Sequence, residues 1–160
     1  KKLLAGVLIE AQEKVFTYLD KLDIGNLGDT DFKVMALFLR YRLNVPINVD
    51  FEDYTDDEKI AYLKLELNKP IRVCGMVKNE GEPGGGPYWA KNPDDTVSLQ
   101  IAESAQIDTY QPDQLKLMQN ATHFNPVDLI CGTRNHKGKP FDLLTFRDPQ
   151  TGFISSKSKF

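Results

Sequence analysis

The stretch Lys78-Asn79-Glu80-Gly81-Glu82-Pro83-Gly84-Gly85-Gly86-Pro87-Tyr88-Trp89 holds the residues of this chain best suited to binding chemistry. Three successive glycines remove every Cβ that would block close approach, so backbone amides there can meet a phosphate or a sugar. The spacing matches neither a Walker A loop nor a dinucleotide fingerprint. A flexible connection would use the same glycines to reach positive φ. Pro83 and Pro87 stiffen the flanks, however, and Tyr88 and Trp89 offer aromatic faces, which favours a binding surface. Lys78, Glu82, Gly84, Gly85 and Gly86 are therefore candidate substrate-binding residues, with Lys78 as the source of positive charge.

Two further positions join them. Glu103 stands within the run Gln100 to Ile107. If that strand is buried, its carboxylate needs donors, which sugar hydroxyls would supply; on an exposed edge it needs none. Asn125, in Thr122-His123-Phe124-Asn125-Pro126, carries an amide that can both donate and accept toward a polar ligand. His123 reads as a structural hydrogen-bonding group, since no Ser or Cys nucleophile accompanies it in a known pattern. Arg134, His136, Lys137 and Lys139 surround Gly138 and read as an exposed turn. The acidic group from Asp50 to Glu58 lacks the glycine and spacing of a calcium loop, and helix N-terminal electrostatics explain part of it. No metal ligands are assigned.

The elements that must position these residues change character near Pro70. The first 70 residues hold 3 of the 11 glycines and 2 of the 9 prolines, so helices are expected over 1–69 and strands and loops over 70–160. Leu4, Leu8, Ala11, Val15, Leu19 and Leu22 recur at steps of three and four, a helical stripe ended by Gly25 and Gly28. A second helix begins near Asp31 and is apolar around most of its circumference, which implies burial. Thr55 and Glu58 have the capping-box spacing for a third helix reaching Leu67. Beyond Pro70, strands are expected over Ile71 to Val77, buried on both faces, and over Val97 to Ile107 and Val127 to Cys131. Weaker strands are expected at Phe141 to Phe146 and Gly152 to Ser156, and a short helix over Pro112 to Met118. The fold class is α/β, a helical N-terminal segment followed by part of a mixed or parallel sheet.

With 20 Lys and Arg against 23 Asp and Glu, no basic excess exists to hold a nucleic acid. Neither end carries an apolar run near the roughly 18 residues of a membrane span, and no signal-peptide layout is visible, so a cytoplasmic protein is expected. Cys74 and Cys131 fit neither a zinc nor a redox spacing and read as buried thiols, able to pair only if their strands are neighbours. The chain starts at Lys1 and stops inside a run that still reads as structured, so it is expected to be a section of a larger domain.

The phrases Arg72 to Trp89, Ser98 to Asp108, Thr122 to Gly132 and Gly152 to Lys159 closely resemble the bacterial domain-of-unknown-function 4301 family, DUF4301. The order of an apolar strand, a Glu-bearing strand and an Asn-bearing phrase is also similar to the nucleotide-diphospho-sugar transferase fold, sugar-nucleotide pyrophosphorylases in particular. That resemblance implies that Glu103 holds sugar hydroxyls, that Asn125 lines the same pocket, and that Lys78 with the glycine loop faces phosphate. It also implies nucleotidyl transfer to a sugar phosphate, with Mg2+ held mainly by residues outside this chain and an N-terminal part of the same protein as partner. A noncatalytic sugar- or nucleotide-binding module is the alternative.

Overall fold

The computed structural model describes residues 1–81, 84–92 and 95–152. Helix α1 spans Lys2–Ile24 and buries Leu8, Ala11, Val15, Tyr18, Leu19 and Leu22, the stripe that its periodicity dictates. Gly25 ends it in the left-handed region, φ 79°, and its N–H donates to the Lys21 carbonyl at 3.1 Å. Helix α2 (Asp29–Arg42) buries Phe32, Met35 and Leu39 along one line. Val34, Leu37 and Tyr41 are exposed, so α2 is amphipathic rather than buried all round. Helix α3 (Asp56–Leu67) opens as expected: the Glu58 carboxylate accepts from the Thr55 N–H at 2.8 Å, and the Thr55 hydroxyl oxygen accepts from the Glu58 N–H. These helices, with Phe51, enclose one hydrophobic core that includes Leu63 and Leu67.

Strand β1 (Ile71–Cys74) follows, and the backbone then breaks at Gly75 before β2 (Val77–Lys78). Strands β3 (Gly86–Lys91) and β4 (Val97–Ala102) form a hairpin. Helix α4 (Pro112–Gln119) has Pro112 in its first turn, where its missing N–H costs nothing. Strands β5 (His123–Phe124) and β6 (Leu129–Gly132) complete the ladders. The segment at Leu143–Phe146 is a short 3-10 helix, not a strand. The strand expected at Gly152 to Ser156 lies outside the described residues from 153 onward.

Helices preceding strands make the chain α/β, as expected. The strands differ in direction from a parallel or mixed sheet: among the described residues β1–β6, β2–β5 and β3–β4 are three separate two-stranded antiparallel ladders. For β3 and β4 the physical reason lies in the connection. A parallel pair needs a crossover that returns the chain to the same end, whereas β3 reaches β4 through a short reversal between Lys91 and Val97. The same region lacks the double burial expected of Ile71 to Val77, since Arg72, Met76 and Val77 are exposed. Among the described residues, every buried hydrophobic core side chain belongs to the first 67 positions.

Candidate functional site

Gly84, Gly85, Glu103 and Asn125 come together beside β3 and β5, whereas Lys78 shares the opposite face of the β2–β5 ladder with His123. Lys78 lies directly across from His123 in the β2–β5 ladder. Phe124 follows His123, and the alternation of a strand turns its ring toward Gly84. A Cβ at Gly84 would stand 2.8 Å from the Phe124 ring, and one at Gly85 would stand 2.7 Å from Ile101 Cγ2 and 2.9 Å from Glu103 Oε1. At Gly86 the obstacle is the Tyr88 ring, 2.8 Å away. None of Gly84, Gly85 and Gly86 has positive φ, which is reserved in this loop for Gly81 at φ 109°. Close approach, not unusual backbone conformation, is therefore what these three positions require, and the approaching groups belong to the chain itself.

Asn125 fixes the arrangement. It is 5% exposed, and its N–H donates to the Gly85 carbonyl at 2.7 Å. Its Nδ2 donates to the Gly75 carbonyl at 2.6 Å and to the Asp128 carbonyl at 3.2 Å, while Oδ1 accepts from the Val127 N–H at 2.9 Å. The side-chain amide thus engages three backbone groups, tying the β1–β2 break, the glycine loop and the β5–β6 turn to one residue. Val127, exposed and β-branched, is held in that turn at φ 63°. Such a conformation persists only where surrounding bonds over-determine it.

Glu103 is half-buried and caps the 3-10 turn Ser104–Gln106, its N–H donating to Gln106 Oε1 at 2.9 Å. Gln106 in turn donates to the Thr151 carbonyl at 2.7 Å, which anchors the carboxylate's segment from behind. Ile101 and Glu103 thus press on Gly85 from the end of β4, and Asn125 holds it from β5. Lys78 is exposed, across from His123 rather than against these groups, and Glu82 lies outside the described residues. Tyr88 folds back over Gly86, while Trp89, the next residue on the strand, faces the other side and is 64% exposed.

Sequence reasoning placed His123 among structural groups and missed its exposed position opposite Lys78; the Thr122 hydroxyl and His123 Nδ1 lie 2.9 Å apart. Pairing register carries that neighbourhood, and register is invisible in a two-residue strand. A second cluster gathers at the basic turn around Gly138. Lys137, Lys64 and His136 converge on Asp23 at 2.8, 2.9 and 3.3 Å, and hold its carboxyl well below the usual carboxylate range. Asp23 in return raises the Lys137 ammonium above its ordinary value. The basic turn thus docks on the C-terminal end of α1 and on α3. Cys74 and Cys131 do sit on neighbouring strands, offset by two positions in the ladder, and both are free thiols. Cys74 is half-buried and that burial pushes its thiol up, while Cys131 is exposed.

Among the described residues no group of three or more His, Cys, Asp or Glu side chains converges in a way that could hold a metal ion, and no helix is long and apolar enough to cross a membrane. No curated protein and no solved structure matches the chain. A family model described as domain of unknown function (DUF4301) matches residues 1–160, the whole length of the sequence, and the chain belongs to that family.

Proposed function

We propose that Lys78, Glu82, Gly84, Gly85, Gly86, Glu103 and Asn125 form the sugar-and-phosphate side of a binding site in a protein that handles sugar nucleotides. One observation carries the reading: the Glu103 carboxylate lies 2.9 Å from the Cβ position of Gly85, whose carbonyl is held by the Asn125 N–H at 2.7 Å. A half-buried Glu103 that makes no ion pair among the described residues has carboxylate oxygens suited to accept from a neutral polyhydroxyl ligand. Glu103 accepts from sugar hydroxyls, and Lys78, with His123 beside it, offsets the charge of an attached phosphate. Asn125 acts as the brace that sets the loop, since its amide is spent on backbone groups.

In the intact protein, a bacterial and cytoplasmic one in this proposal, the reaction is nucleotidyl transfer to a sugar phosphate or chemistry on a related sugar nucleotide. Catalysis there consists of alignment of two anionic reactants. Magnesium is typically taken by one or two carboxylates together with substrate phosphates. In this proposal the ligands of that metal come mainly from outside this chain. The second reading, a noncatalytic sugar- or nucleotide-binding module, is favoured by the internal use of the Asn125 amide.

Thermal stabilisation by hexose phosphates and nucleoside triphosphates tests the site, because the shift grows with ligand concentration over its dissociation constant. Hexose phosphates are expected to stabilise the chain, and Glu103→Gln, which keeps size and removes charge, is expected to weaken them about tenfold or more while the unliganded melting temperature stays put. Equal affinity in the variant, or no stabilisation by any hexose phosphate, removes the reading. Release of pyrophosphate by the intact protein separates transfer from binding alone.

A further inference from the structure

Between the helical unit and the β3–β4 hairpin lies an open cleft of about 1290 Å³. Its walls contain two unbroken strand segments: Ile71 to Cys74, which is all of β1, and Val97 to Ile101, nearly all of β4. Strand β3 contributes only Pro87, and β6 contributes nothing. Successive side chains of a strand point to opposite faces, so a cavity that touches every residue in turn meets the strand along its edge. Among the described residues each of these strands has one partner, β6 for β1 and β3 for β4. The edges turned to the cleft are therefore the ones left unpaired among the described residues, two rows of backbone N–H and C=O groups on opposite sides of one gap.

The geometry points to this cleft as a docking site for an extended peptide that enters as a β-strand between β1 and β4 and converts two isolated ladders into one sheet. Main-chain pairing of this kind gives affinity, and the flanking walls select alternate side chains. Here those walls are apolar, with Val45, Ile47, Ile71 and Val73 on one side and Leu99 and Ile101 on the other. Among the described residues the charges at the cleft are Arg42, Lys69 and Arg72 against Glu66 and Asp95. Arg42 is engaged by Glu10, Lys69 by Glu66 and Asp95 by Lys91, which leaves Arg72 as the cation without an ion pair among the described residues. The peptide that fits is apolar at alternate positions and acidic at its flank. The need for such a partner is visible elsewhere: two-stranded ladders are marginal alone, and no hydrophobic side chain of the described residues beyond Leu67 is fully buried.

The test is selection of peptides on the 160-residue chain from a library with alternating apolar positions and glutamate flanks, alongside the same library interrupted by proline at alternate positions. Expected is enrichment from the first library only. Amide hydrogen exchange should then slow at both 71–74 and 97–101 when a selected peptide is added, and N-methylation of its alternate amides should cost tenfold or more in affinity. Arg72→Ala should weaken the acid-flanked peptide and leave a neutral-flanked version unchanged. No enrichment above the proline library, protection at neither edge or at one alone, or full affinity after N-methylation would each overturn the assignment. So would protection of both edges that grows with protein concentration and without peptide, which would assign the cleft to a second copy of the chain.

Discussion

At the scale of single residues, the glycine loop behaves as a contact surface whose missing side chains make room for Phe124, Ile101, Glu103 and Tyr88. Gly85→Ala adds one methyl where two neighbours already stand within 3 Å, and overpacking of this kind costs about 1–3 kcal/mol. Urea unfolding of the variant should show that loss, and an unchanged midpoint would mean that the loop yields easily. Asn125→Asp is the sharper probe, because it keeps the shape and replaces two donated hydrogen bonds with an acceptor facing the Gly75 and Asp128 carbonyls. A loss of about 2–4 kcal/mol is expected, and it should shrink in acid as the new carboxyl takes up a proton and can donate again. The residue types at this site were legible in the sequence: three glycines stood out as a run, a carboxylate as a polar group within an apolar strand, and an amide for its ability to donate and accept. Their partners were not. Nothing local in Asn125 announces that its amide turns inward to Gly75, fifty positions earlier, because that contact exists only once β1, β2, β5 and β6 have paired.

At the scale of elements, the helices were the readable part. A period near 3.6 and end signals such as Gly25 and the Thr55–Glu58 box are written within a few residues of one another, so α1 and α3 could be placed closely. Thr55→Ala removes both the acceptor for the Glu58 N–H and a hydroxyl donating to Glu58 at 2.8 Å. It should lower stability by about 1 kcal/mol, seen as a drop in melting temperature, and Thr55→Ser should restore most of it. Strand direction was less readable. A run such as Ile71 to Cys74 states that it will be extended, but its partner β6 lies far along the chain and nothing in either run encodes orientation. Gly75 also divides what periodicity joins, and its N–H is taken by the Asp128 carbonyl at 2.8 Å as the chain turns from β1 to β2.

At the scale of the whole molecule, Asp23 joins the two halves. Lys137 is the first cause of its lowered pKa, followed by Lys64 and His136, so residues from α1, α3 and the 135–139 turn share one carboxylate. A carboxyl that titrates lower in the folded than in the unfolded chain contributes its full stabilisation above the unfolded value, near 3.8, and loses it as pH falls below that toward the folded value. Asp23→Asn is therefore expected to unfold at lower urea than the native chain at neutral pH, with the gap narrowing below about pH 4. A gap independent of pH would assign the loss to shape rather than charge. The confinement of the buried core to the helices has a further consequence, for the order of events in time. Helical contacts close short loops, whereas joining Ile71 to Gly132 must first draw together a long span of chain. The amino-terminal trio should collapse early and serve as the template on which the later ladders settle. Under mild denaturant the ladder half should come apart first, so that limited proteolysis trims the carboxy-terminal half while a helical remnant survives.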